Sequence, residues 1–263
     1  MAEVSGSVAW ISYTPVKGLA LLQPREVELT ERGVADDRRF HVIDARGRLT
    51  NGKRLGKLVQ VHAAWDARED RLTLRFPDGA EVSDTVALGE ENVTTFYGRP
   101  VRGRLVEGPW NEALSAFIGE PLRLVQPDGA GAGIDRGRAG AVSLLSVASL
   151  PGLAAAAGVP GPVDERRFRM LLGVDGVEAH AEDGWIGREL RVGDAVIVPR
   201  GHVGRCLITS RDPDTGDRDM DTLGALRSYR GDVDSTEPLP FGVYGAVVTP
   251  GRVALGDPVE LVD

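Results

Sequence analysis

The chain has 263 residues, 42% of them hydrophobic and 27% charged, with a formal net charge of −8. That is the composition of a folded chain long enough to bury a core, and it excludes general disorder. The acidic balance speaks against a nucleic-acid binder, no apolar run approaches the ~20 residues of a membrane span, and residues 1–6 lack the basic-then-apolar layout of a signal peptide. A single cysteine precludes an internal disulfide, which fits a reducing cytoplasm.

In chain order, the first 108 residues read as short strands and turns. Runs at 6–16, 25–30, 40–44, 59–65 and 72–76 are rich in β-branched or large apolar residues and bounded by Gly, Pro and Asp. Pro77-Asp78-Gly79 is a turn between two of them. Short, evenly spaced strands predict a barrel or sandwich. Residues 110–118 place Trp110, Leu114, Phe117 and Ile118 at helical spacing and stop at Gly119. The polar, Gly-rich stretch 127–140 reads as a mobile loop near a domain boundary. A strand at 142–145 leads into a helix at 149–157. Further strands are expected at 167–173, 195–199, 207–210, 243–248 and 259–262, with a short helix at 221–229. Gly193-Asp194 and Gly256-Asp257 share a Gly-Asp-x-Val core, and each reads as a hairpin turn feeding a barrel strand. The fold class is therefore mainly β with a few helices.

Cys206 is the residue most able to carry chemistry. Arg205 precedes it and Arg211, Arg218, Arg227 and Arg230 follow. Positive charge favours the thiolate, a soft ligand for a soft metal. A buried, inert cysteine is the bland alternative. Zinc fits poorly, because His41, His62, His180 and His202 show no ligand spacing, although His180 and His202 lie in the same half as Cys206 and leave a mixed site as a minor option. His202 would share a strand face with Cys206 about 13 Å away, too far for direct activation. Arg167 and Arg169 share a face of the expected strand, either as solvated surface or as an anion pocket. Lys17 ends the first strand, either as a solvated surface lysine or, with Pro15 stiffening the approach and Gly18 exposing a backbone N–H, as part of a loop suited to phosphate.

Several segments together resemble one family. Tyr13–Leu19 (YTPVKGL) is similar to a Y-P-V-K-S opening, and Asp37–Asp44 (DRRFHVID) to D-R-x-W-x-V-x-D. The segment SLLSVASL at 143–150 resembles the stretch before the family's central helix. Phe168-Arg169 resembles the start of F-R-P-N, and Ala181–Trp185 an E-D-x-W element. Most specific is Gly204-Arg205-Cys206-Leu207-Ile208-Thr209. It is followed by Asp212-Pro213-Asp214-Thr215-Gly216, then LGALRSYR, Phe241-Gly242-Val243-Tyr244 and Gly256-Asp257-Pro258-Val259. These resemble MOSC-domain proteins with an N-terminal β-barrel domain, a group that includes the mitochondrial amidoxime-reducing component and its bacterial relatives.

The resemblance implies an N-terminal β-barrel domain over 1–126 and a MOSC β-barrel domain over 127–263, with a molybdenum–molybdopterin cofactor between them. It implies Cys206 as metal ligand and catalytic centre. Lys17, Gly18 and Arg38 would grip the cofactor from one side, and Arg169, Gly204, Arg205 and Tyr244 from the other. Three departures stand out: Gly18 for Ser, Met170-Leu171 for Pro-Asn, and Arg138-Ala139-Gly140 where relatives carry Asp, Thr and Ser.

The expected activity is reduction of N-hydroxylated or N-oxide small molecules. One cysteine leaves no iron–sulfur cluster in the chain, so electrons are expected from an external donor: ferredoxin-like, cytochrome-like or a flavin reductase. No nucleic-acid partner is expected. Two rival readings are a carrier of cofactor or sulfur without redox turnover, and a degenerate module without metal. Asp212 and Asp214 are candidates for proton relay, with a turn shaping the site entrance as the plainer role.

Overall fold

The structure, a computed structural model, describes residues 4–129 and 136–262. The first half runs β1 (Val4–Ile11), β2 (Val16–Lys17), β3 (Glu26–Thr30), β4 (Gly33–Val34), β5 (Phe40–Asp44), β6 (Leu49–Thr50), β7 (His62–Asp66), β8 (Arg71–Arg75), β9 (Glu81–Thr85), β10 (Ala87–Phe96), β11 (Arg99–Glu107), α1 (Trp110–Ile118) and β12 (Leu122–Pro127). The second runs β13 (Val142–Ser146), α2 (Ser149–Ala157), β14 (Leu172–Asp175), β15 (Leu190–Val192), β16 (Ala195–Gly204), α3 (Thr222–Arg230), β17 (Pro240–Thr249), β18 (Gly251–Ala254) and β19 (Pro258–Leu261). The mainly β class expected from the sequence is what forms.

Seven strands close a barrel in the order β1-β14-β13-β17-β16-β15-β19. The first strand of the chain closes it, with Ser7 opposite Asp175 and Val4 opposite Glu260. Its interior is aliphatic, built from residues such as Ile11, Leu144, Val174, Leu190, Ile197, Val243 and Val259. β13 and β14 are parallel, so α2 serves as the crossover between them.

In the other half, β10-β11-β12-β5-β2 form one sheet and β7-β8-β9 another. Their shared core holds Phe40, Leu58, Leu74, Trp110 and Leu124. α1 buries Trp110 and Leu114, and the indole Nε1 donates to the Leu72 carbonyl at 3.0 Å. The helix ends where Gly119 takes a left-handed conformation and its N–H bonds the Ser115 carbonyl. β18, from the end of the chain, pairs with β3 and ties the halves together.

Four local expectations are corrected. Residues 167–173 are not one strand: Glu165–Phe168 form a 3-10 turn, started by the Asp164 side chain accepting from the Arg166 N–H at 2.8 Å, and only β14 follows. Leu207–Ser210 are also a 3-10 turn, because the Thr209 N–H and hydroxyl both fold back to the Cys206 carbonyl. Residues 59–61 belong to a 3-10 turn and its cap rather than to β7. Gly193-Asp194 is a hairpin turn, but Gly256-Asp257 joins β18 to β19, which lie in different sheets. The expected loop 127–140 falls partly outside the described residues; within them, Gly137–Gly140 form a 3-10 turn. Among the described residues no helix is long and apolar enough to cross a membrane.

Candidate active site

A cavity of about 250 Å³ lies where the halves meet. Lys17, Gly18, Arg38, Asn51, Gly52, Lys53 and Tyr97 line it from one side. Arg136, Gly140, Ser143, Phe168, Arg169, Met170, Val203, Arg205, Cys206, Ile208 and Tyr244 line it from the other. Seven of the eight site residues expected from the sequence meet here. The eighth, Gly204, ends β16 beside Glu237 and is not in the wall.

Backbone geometry aims these side chains. Lys17 sits on β2, held in parallel register against His41 of β5, and is buried with its Nζ 6.0 Å from the Phe96 ring. Gly18 has φ +95, and a Cβ there would stand 2.9 Å from that of Asn51, so a side chain has no room. Arg38 (φ 52), Tyr97 (φ 49) and Arg169 (φ 53) are non-glycine residues in the left-handed region. Six described residues share this unfavourable conformation, and half of them line this one cavity. Arg38 pairs with buried Asp37, whose other oxygen accepts from the Thr14 N–H. The Arg169 Nη2 donates to the Leu19 carbonyl at 2.7 Å, bridging the halves.

Cys206 is exposed and extended (φ −134, ψ 176), just past the end of β16 and before the 3-10 turn. Arg205 beside it is buried. Its Nε donates to the Phe241 carbonyl at 2.8 Å, its Nη1 to the Phe168 carbonyl at 3.0 Å, and its Nη2 to the Met170 sulfur at 2.9 Å. Burial lowers its pKa to about 9, with Cys206 and Glu182 opposing the fall. On the far wall Arg136 stacks over the Tyr244 ring at 4.2 Å and pairs with Glu237 at 2.7 Å.

The cavity wall thus carries Lys17, Arg38, Lys53, Arg136, Arg169 and Arg205, six cations, and no carboxylate. Only Arg205 comes from the run of arginines around Cys206 in sequence. Arg211 bonds the Gly216 and Lys53 carbonyls, Arg227 is exposed, and Arg230 pairs with Asp183. Arg166 and Arg167 do not share a strand face with Arg169; they are paired with Asp164 and Asp214, and with Asp219. His202 faces Asp183, not Cys206. Asp212 caps its own turn through the Asp214 and Thr215 N–H groups, and Asp214 is held by Arg166. Neither lines the cavity; Asp214 lines a second cleft of about 230 Å³, which Arg169 also borders.

Asn51-Gly52-Lys53, Tyr97, Arg136 and the apolar Phe168, Val203 and Ile208 were not anticipated. Asn51-Gly52 is a turn signal between strands and was legible in principle. Of the three departures, Gly18, Met170 and Gly140 line the cavity, whereas Leu171 is in the barrel core and Arg138 pairs with Glu31.

A second polar cluster lies on the other side of Phe241. Glu182 is fully buried, no well-formed hydrogen bond reaches either carboxylate oxygen, and desolvation raises its pKa to about 7. His180 packs on Phe241 at 5.6 Å between ring centres; burial and then Arg230 lower its pKa to about 4. Asp183 accepts from Arg230 at 2.8 Å, and His202 Nε2 stands 3.2 Å from its other oxygen without a hydrogen bond between them. Among the described residues no group of three or more His, Cys, Asp or Glu is placed to hold a metal ion.

Family models agree with this architecture. The MOSC N-terminal beta barrel domain matches residues 5–119 and the MOSC domain matches residues 132–260. The chain belongs to the MOSC-domain proteins that carry an N-terminal MOSC β-barrel. It is 28% identical to human mitochondrial amidoxime-reducing component 1 over 98% of this chain and 83% of that protein. To bovine mitochondrial amidoxime reducing component 2 it is 27% identical, over 97% of this chain and 82% of the relative. The crystal structure of the YUAD protein from Bacillus subtilis aligns over 99% of this chain and 98% of its own, with a TM-score of 0.46 and 13% identity.

Proposed function

We propose that this protein is an oxidoreductase that holds a molybdenum–pterin cofactor through Cys206 and reduces N-hydroxylated or N-oxide small molecules. The observation that carries the reading is an exposed thiol set among six cations and no carboxylate. A thiolate is a soft metal ligand, and cationic forks suit a phosphate. One protein donor suits a metal whose other ligands arrive with an organic cofactor, not a closed protein-only site. The residues present therefore fit the group. When bound, it supplies a two-electron redox centre.

The chain's own part is to bind, orient and shield. Lys17, the Gly18 amide and Arg38 would hold the anionic part from the N-terminal side, with Arg169 and Tyr244 opposite. Arg205, tied to the Phe168 and Phe241 carbonyls, fixes the backbone that presents the thiolate. Phe168, Met170, Val203 and Ile208 give the same cavity an apolar wall for an uncharged substrate. Converting N–OH to N–H and water consumes two electrons and two protons, and the electrons come from a separate donor of ferredoxin-like, cytochrome-like or flavin-reductase type. The reading takes 1–126 and 127–263 as the two domains, and a reducing compartment such as the cytoplasm as the setting, because an exposed thiolate ligand survives there.

The test is the molybdenum content of protein from a molybdate-supplied, cofactor-competent host, beside Cys206→Ala. Equimolar metal in the wild type, lost in the variant, is expected, together with benzamidoxime reduction driven by reduced methyl viologen. A folded wild type without molybdenum overturns the reading. The exposure of Cys206 also suits a carrier that delivers cofactor or sulfur; full metal loading with no viologen-driven turnover would favour that second reading.

A further inference from the structure

The mouth of the Cys206 cavity opens onto a groove of about 750 Å³ whose chemistry differs from the rest of this acidic chain. Arg46, Arg48, Lys53 and Arg54 contribute four positive charges. Asp44 and Glu120 offset two of them, by pairing with Arg48 and Arg54. Arg46 and Lys53 are exposed and carry no ion pair among the described residues. Between these cations lie Val93 and Tyr97, which are 57% and 72% exposed. Tyr97 stands at the tip of the β10–β11 hairpin in a left-handed conformation that few bulky residues adopt.

The groove is continuous with the cavity. Asn51, Lys53 and Tyr97 border both, and Leu207, which lines the groove, follows Cys206 directly in the chain. Adjacent Cα atoms are about 3.8 Å apart, so a body seated in the groove lies next to Cys206.

We infer that this groove is the docking surface for a small, acidic electron-carrying protein. The inference rests on the reductase reading above and deepens it. Each turnover takes up two electrons, so a one-electron carrier must dock, leave and be replaced within one cycle. That calls for a contact that forms fast and dissociates readily, which long-range attraction around a small apolar centre provides. An excess of positive charge beside exposed Tyr97 and Val93, on a chain of net charge −8, meets that requirement for an acidic partner.

The experiment uses the full chain with two probes, an acidic [2Fe–2S] ferredoxin and an acidic flavodoxin, and the variants Arg46→Glu/Arg48→Gln and Val93→Glu. Binding is measured by calorimetry at low and high salt. Binding of at least one carrier is expected at low salt, weakened at least tenfold by either variant and by salt. Where the wild type turns over with reduced viologen, both variants are expected to match it with viologen and to lose at least tenfold in carrier-driven kcat/KM. No carrier binding by the wild type, or equal binding by folded variants, overturns the docking surface. Charge-dependent binding to phosphatidylserine vesicles without carrier binding would also overturn it, by assigning the face to a membrane. A wild type that binds a carrier but never turns over with viologen would count against the reductase reading while leaving the docking surface standing.

Discussion

Two clusters of charged side chains flank Phe241, and they are built on opposite terms. Around Cys206, six cations face a shared opening, with their carboxylate partners Asp37 and Glu237 set behind the wall. Around Glu182, charges of both signs are packed into the protein, and Arg230 pairs with Asp183. A mixed cluster carries its own counter-charge, so it does not need an ion from outside to neutralise it. An open cluster of one sign is completed only by an anion. The difference separates the two clusters more sharply than burial does, since a carboxylate with a raised pKa, Glu182, belongs to the mixed cluster.

The contrast can be broken at four points. The largest effect is expected from Arg230→Met, which leaves Asp183 without its cation and the Pro240 carbonyl without its donor. Loss of about 3 kcal/mol in urea unfolding is expected, and a loss under half of that would mean that Arg230 is not what neutralises the cluster.

Glu182→Gln should act in the other direction. Its folded pKa of about 7 lies above the unfolded value, so the buried carboxyl is neutral and harmless in acid. As pH rises from the unfolded pKa through 7, the unfolded chain ionises first and stability falls. The Gln variant is expected to be more stable than wild type by about 2 kcal/mol at pH 8, with no gain at pH 4. His180, with its pKa lowered, has the opposite slope: its contribution is lost as pH falls from its unfolded value through about 4. Removing Glu182 should therefore leave a profile that declines only on the acid side, and an unchanged profile would sink the assignment.

A smaller effect is expected at the open cluster. Pyrophosphate should raise the Tm of cofactor-free protein, with stabilisation of about 1 kcal/mol at a few times its Kd. Lys17→Glu should abolish the shift, and survival of the shift in that variant would show that the anion binds elsewhere. The smallest effect is expected from Lys53→Gln. It removes a cation from the open cluster yet should change folding stability by less than about 0.5 kcal/mol, because no carboxylate in the wall depends on it.

The parts of this architecture legible in the sequence are those set by local geometry. The bounds of α1 follow from helical spacing up to Gly119, whose left-handed cap only glycine takes readily. Linear motifs, too, brought Lys17, Arg38, Arg169 and Cys206 into view. What stayed hidden depends on distant partners. Arg166-Arg167-Phe168-Arg169 has the alternation of a strand, but Asp164 nucleates a turn and Asp214 and Asp219 claim the first two arginines. Leu207-Ile208-Thr209 has strand composition, yet the Thr209 hydroxyl bends it back to Cys206. The role of Arg136 rests on Tyr244 and Glu237, a hundred or so residues away, and no local pattern announces it.

The barrel is closed by a strand remote in sequence from both of its neighbours. β1 finds its neighbours in β14 and β19, which lie far along the sequence from it, and Lys17 and Gly18 follow β1 by only a few residues. The loop that carries Lys17 and Gly18 into the cavity is therefore set only when β14 and β19 fall into place beside β1. Such distant pairing slows folding, and it orders assembly in time: Cys206 precedes β17 and β19 in the chain, so its thiol is made before the barrel beside it can close.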